Sequence, residues 1–168
     1  MKTEKSKILF IAGVPGTGKT TMGDHLSKNY GFFHLDMENP PSGKWSSIYS
    51  GDYSLLDQLA NGDNKIVITW GYLPDHQNIL SIVERIIELK PTYIWFDGDR
   101  DSARKAFLNR NTVSEELLNI QLARINRTNI VKKWSPIIFN TFDSKGNFLS
   151  KEKIAKKLIA VMESGNEK

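Results

Sequence analysis

Residues 13–20 read Gly13-Val14-Pro15-Gly16-Thr17-Gly18-Lys19-Thr20, that is glycine, four residues, glycine, lysine and threonine. This spacing suits the wrapping of a polyphosphate. Backbone N–H groups hold phosphates best where no side chain blocks the approach, and Gly13, Gly16 and Gly18 leave it open. Lys19 can reach the β and γ phosphates, and the Thr20 hydroxyl can serve a magnesium ion. With Val14, Pro15, Thr17 and Thr21 counted in the cradle, the expected ligands are ATP and Mg2+.

A phosphate loop names a donor and leaves open whether the chain hydrolyses, switches or transfers. Two acids, Asp36 and Glu38, follow the apolar run Phe32-Phe33-His34-Leu35. A carboxylate at the carboxyl end of a parallel strand faces the same crevice as the phosphates. It can hold a magnesium-bound water or accept the proton of an attacking hydroxyl. Asp36 and Glu38 are thus the expected acceptor-side residues, with Asp36 the expected catalytic acid, orienting or deprotonating the acceptor, and also a metal candidate; a local turn role for Asp36 stays open. Asp97 closes the run Tyr93-Ile94-Trp95-Phe96, but Gly98 and Asp99 beside it spell a turn. Positive charge for phosphoryl oxygens is available from Arg104, Arg110, Arg124 and Arg127, the last two on one helical face. A solvated surface balanced by Glu115 and Glu116 is the other reading of these arginines. Trp45, Tyr49 and Tyr53 read first as core and second as walls of an acceptor pocket.

The elements that must position these groups alternate. Apolar runs at 7–12, 32–35, 65–70, 92–96 and 136–140 predict strands, each bounded by glycine, proline, asparagine or aspartate. Helical spacing predicts helices over 18–29, 53–60, 75–89, a stretch ending at Arg110, 114–126 and 150–162. Prolines and glycine within 39–43 break the chain after the second strand. Strands alternating with helices predict an α/β fold, a parallel sheet with helices on both faces.

The loop at 13–20, the stretch Leu35-Asp36-Met37-Glu38-Asn39-Pro40-Pro41 and the stretch Ser114-Glu115-Glu116-Leu117-Leu118-Asn119-Ile120-Gln121 together resemble the small P-loop kinases of the nucleoside-monophosphate, shikimate and gluconate kinase group. The resemblance implies a three-layer fold with a five-stranded parallel sheet and a small lid at about 111–133. It implies that Asp36 and Glu38 contact magnesium and the acceptor, that Arg110 lies near the nucleotide base, and that Arg124 or Arg127 reaches phosphates from the lid. The chain departs from the group's pattern at the third strand, where Ile68-Thr69-Trp70-Gly71-Tyr72 carries no acid, and the segment 45–58 shows no recognisable sugar-acid site. An ATP-dependent kinase of a small acceptor is the first expectation. A nucleic-acid end or nucleotide-sugar kinase and a nucleotide-binding switch without transfer are the alternatives.

Composition is consistent with this. The 168 residues suit one domain, and 39% hydrophobic with 25% charged residues is ordinary for a globular fold. With no cysteine and three scattered histidines (His25, His34, His76), a zinc centre is not expected. The net charge of +4 is spread along the chain and does not point to nucleic acid. No run approaches a membrane span, and a cytoplasmic location is expected. The polar ends, 1–7 and 163–168, are expected outside the packed structure.

Overall fold

Residues 8–13 are apolar or small at every position, as in a strand covered on both faces, and they form β1 (Ile8–Gly13), buried throughout. A computed structural model describes residues 6–38, 46–72, 77–128 and 133–165. In chain order β1 is followed by α1 (Lys19–Tyr30), β2 (Phe33–Asp36), α2 (Ser46–Tyr49), α3 (Ser54–Asn61), β3 (Ile66–Trp70) and α4 (Gln77–Glu88). Then come β4 (Thr92–Asp97), α5 (Arg100–Leu108), α6 (Glu115–Thr128), β5 (Ile137–Asn140) and α7 (Lys151–Ser164). The strands form one sheet in the order β2-β3-β1-β4-β5, and every pairing is parallel. The five-stranded parallel sheet expected from the sequence is present.

Side chains that alternate along β1 feed two cores. Ile8, Phe10 and Ala12 point to one face, with Leu35, Ile68, Trp70 and Trp95 and with Leu56, Ile82, Val83, Ile86 and Ile125 from α3, α4 and α6. Leu9 and Ile11 point to the other, with Val67, Ile94 and Phe96 and with Met22, Leu26, Ile154, Ala155 and Leu158 from α1 and α7. The result is a helix, sheet, helix sandwich that holds the carboxyl end of β1 at its centre.

Most predicted elements are found within a residue or two of the expected bounds. α2 was not anticipated, because its four residues are too few to carry a helical period. The polar tail expected from residue 163 instead continues α7 to Ser164, and Glu163 pairs with Lys65 at 3.7 Å. At the other end the Ser6 hydroxyl donates to the Lys90 carbonyl at 3.0 Å. The break predicted at 39–43, together with Trp45, lies outside the described residues.

Candidate active site

The loop after β1 is shaped by what it packs on. The Val14 N–H donates to the Phe96 carbonyl at 3.0 Å, fastening the loop to the end of β4. Gly16 has φ of 81°, and a Cβ there would collide with the Ala103 carbonyl of α5, so only glycine fits. Gly18, at φ 86° and ψ 24°, is the N-cap of α1 and offers no side chain to cover the first-turn amides. These amides and the positive end of α1 face outward, an arrangement suited to an anion. The Thr17 hydroxyl donates to the Val14 carbonyl at 2.7 Å, and the Lys19 Nζ donates to the same carbonyl at 3.0 Å. Lys19 is buried, which lowers its pKa to about 8. The charge of Glu38 opposes that shift, while Arg110 adds to it.

Around the loop lie two cavities. The first, about 260 Å³, is bordered by Gly16, Lys19, Thr20, Glu38, Gly71 and Arg110, with Phe107, Thr112, Val113 and Gln121 above. The second, about 480 Å³, is an apolar slot between Met22, Ala106, Arg110, Phe148, Leu149 and Ile154, with Thr17, Gly18 and Thr21 at its floor. Phe148 is brought there by a tight hairpin. Asp143 accepts the Lys145 and Asn147 N–H groups at 2.8 and 3.0 Å, Phe142 bridges Phe148, and their rings lie 4.5 Å apart. Gly18 and Arg110 border both cavities.

The two acids after β2 part company. Glu38 turns to the loop: its Oε1 accepts the Gly71 N–H at 2.8 Å, just past β3, and it borders the cavity with Lys19. Asp36 is half-buried. Its Oδ1 accepts the Glu38 N–H at 3.0 Å, and it borders a different hollow along β2 and α3. Burial raises its carboxyl pKa above the usual range, against the effect of that N–H. His34 ties this strand down, with Nδ1 at 3.0 Å from Asp24 of α1 and Nε2 at 2.8 Å from the Thr69 hydroxyl of β3.

The remaining candidates are more scattered. Arg124 and Arg127 lie on α6, and it is Gln121, a turn earlier, that borders the loop cavity. Arg104 links α5 to α6 through Glu115 at 2.9 Å and Asn119 at 2.6 Å. Asp97 acts as the turn residue expected, accepting from Gly98 N–H at 2.9 Å and from Arg100 at 2.8 Å. Tyr53 packs against the core, whereas Tyr49 is exposed. Sequence reasoning did not single out Gly71 or Phe148. A glycine closing β3 hinted at the first; a lone aromatic in a turn carries no signal for the second.

Magnesium takes oxygen ligands and leans on substrate phosphates more than on an all-protein cage. The Thr20 hydroxyl and the Glu38 carboxylate border one cavity, while no group of three or more acids or histidines that could hold a metal occurs among the described residues. That donor set fits magnesium brought in with a nucleotide.

A central strand running into a phosphate loop, in a five-stranded parallel sheet of this order, gives the chain the fold of the small P-loop kinases, as its sequence resemblance implied. No family model matches the chain. It is similar to UMP-CMP kinase 3 of Arabidopsis thaliana, with 26% identity over 181 residues, 95% of this chain and 87% of the relative. Among solved structures it resembles a gluconokinase from Sinorhizobium meliloti, with a TM-score of 0.58, 12% identity and coverage of 96% of this chain and 94% of the other. A shikimate kinase from Bacteroides thetaiotaomicron also has a TM-score of 0.58, at 16% identity and coverage of 93% and 98%.

Proposed function

We propose that the chain is an ATP-dependent phosphotransferase that moves the γ-phosphoryl group to a hydroxyl of a small acceptor. The observation that carries this reading is the Glu38 carboxylate, held on the Gly71 N–H in the cavity that Lys19 and Thr20 also border. The alternative of a nucleotide switch draws its main support from the lack of an acid directly after β3 in the sequence. Glu38 reaches that strand end from β2, which supports transfer instead. The kinase names of the similar proteins point the same way, but gluconate, shikimate and UMP belong to those proteins.

The apolar slot suits the nucleotide base, with Arg110 beside it, and the loop amides with Lys19 suit the phosphates. This order leaves the γ-phosphate at the Glu38 end. The acceptor oxygen attacks the γ-phosphorus, its proton passes to the Glu38 carboxylate, and the bond from phosphorus to the β–γ bridging oxygen breaks, so that ADP leaves with the electron pair. Asp36 positions Glu38 through the Glu38 N–H. Thr20, with Glu38 or Asp36 through water, would hold magnesium, which neutralises charge on the β and γ oxygens when bound. The segment at about 111–133 is the proposed lid, whose closure brings Arg124 and Arg127 toward the transferred group and excludes water.

The test is incubation with γ-labelled ATP, magnesium and panels of hydroxyl compounds, nucleosides, nucleotides and oligonucleotide ends. Label in an acceptor is expected; label in inorganic phosphate alone defeats the kinase reading, and label only in oligonucleotide ends selects the nucleic-acid alternative. Glu38→Gln is expected to lower transfer about 10²-fold or more with ATP affinity kept, and Asp36→Asn about 10-fold, as befits a base and its support. Unchanged transfer in Glu38→Gln removes Glu38 from the mechanism.

A further inference from the structure

Of the stretch 114–121, Gln121 is the residue that borders the loop cavity. α6 buries Leu118 and Ile125, and Leu122 packs on the core. Positions 118, 121, 122 and 125 share one face of a helix, so Gln121 points inward with them and is half-buried. A carboxamide on an inward face costs free energy unless it finds partners. Among the described residues it makes no hydrogen bond.

The helix is braced where it stands. Arg104 of α5 donates to Glu115 at 2.9 Å and to Asn119 at 2.6 Å, which fixes the start of α6 on the element that carries Phe107 and leads to Arg110. Both of those residues border the same cavity, as do Lys19, Thr20 and Glu38. With the nucleotide placed as above, the γ-phosphoryl group lies in this cavity, at the Glu38 end. Its equatorial oxygens carry charge as it is transferred, and each accepts hydrogen bonds. A further cation at position 121 would also attract Glu38 and weaken it as a base, because an opposite charge favours the ionised carboxylate. A carboxamide donates two N–H groups and brings no charge.

Resting on the kinase reading above for the place of the γ-phosphoryl group, we propose that Gln121 is a catalytic residue whose Nε2–H donates to an equatorial oxygen of that group. The bond is strongest when the group is planar between donor and acceptor, so it raises the rate of transfer and leaves ATP affinity little changed. The amide keeps both protons, and the acceptor's proton still passes to Glu38. Gln121 is in place on α6 before any closure that brings Arg124 and Arg127.

The test is calorimetric titration of the full chain with two probes, each with magnesium: a non-hydrolysable ATP analogue, and ADP with aluminium fluoride, a planar mimic of the group in transfer. Neither needs the acceptor. Gln121→Met, close in shape but without a donor, is expected to bind the ATP analogue within about threefold of the parent and the planar mimic about tenfold or more weaker. Gln121→Glu, with acceptor oxygens and a charge instead, is expected to lose at least as much. A Met variant that binds the planar mimic as tightly as the parent overturns the proposal. Equal losses for both probes overturn it too, since they mark a structural or ground-state role. A parent that binds the planar mimic no tighter than ADP alone does the same. Label from γ-labelled ATP found only in inorganic phosphate would defeat the kinase reading and leave the role of Gln121 standing, with water as the attacking group.

Discussion

Lys19 is the residue whose surroundings are most nearly matched to an anionic partner. Buried and lowered to about 8, it gains from a phosphate charge, so its pKa rises when ATP binds and the complex takes up a proton. The bound state holds more protons than the free one above that pKa, so affinity must fall as pH rises. ATP affinity measured by calorimetry is expected to weaken by about tenfold per pH unit above roughly pH 8, and to be flat there in Lys19→Gln. Gly71 gives a second prediction at this scale. A Cβ there would collide with Glu38 Oε1, the far end of a side chain that can swing away, and not with backbone. Gly71→Ala should therefore cost less than about 1 kcal/mol of stability in urea unfolding while lowering transfer about as much as Glu38→Gln does.

Among the elements, the three central strands are pinned by a small aromatic assembly. Phe10 of β1 stacks on Tyr93 of β4 at 4.9 Å and on Tyr72, just past β3, at 6.4 Å, and the two buried phenols share a hydrogen bond of 2.7 Å. Removing one hydroxyl leaves the other buried without this partner, while removing both leaves matched apolar surfaces. Tyr72→Phe or Tyr93→Phe alone is expected to cost about 1–2 kcal/mol, and the double variant less than either, read from urea midpoints. None of this pairing was legible in the chain, because nothing local links residues 72 and 93. The strands and long helices were legible, since period and punctuation are local properties, and so was the loop at 13–20, where eight consecutive residues spell the phosphate-binding motif. The acceptor end was only half legible. Asp36 and Glu38 were both visible as acids, but which one turns to the cradle depends on the Gly71 N–H, 33 residues further on.

For the molecule as a whole, the loop cavity and the apolar slot share Gly18 and Arg110, so the two run together along α1, α5 and α7, where the proposed nucleotide would lie. A ligand that binds only the folded state adds stability by mass action. Magnesium and ATP at a hundred times Kd should add about 2.7 kcal/mol and raise the melting temperature by roughly 5–10 °C in a domain of this size, as scanning calorimetry would register. Gly16→Ala, whose Cβ meets backbone at a positive φ, should lose that increment along with stability of its own. Among the described residues no helix is long and apolar enough to cross a membrane.

The seat of the phosphate loop also carries an order of events in synthesis. Val14 is fastened to Phe96, and Gly16 lies against Ala103, so both supports are made some 80 or more residues after the loop itself. A chain still on the ribosome carries the complete phosphate motif long before it has anything to hold it in shape. Nucleotide capture therefore waits for α5 to emerge, and a truncation ending before β4 is a motif without a binding site.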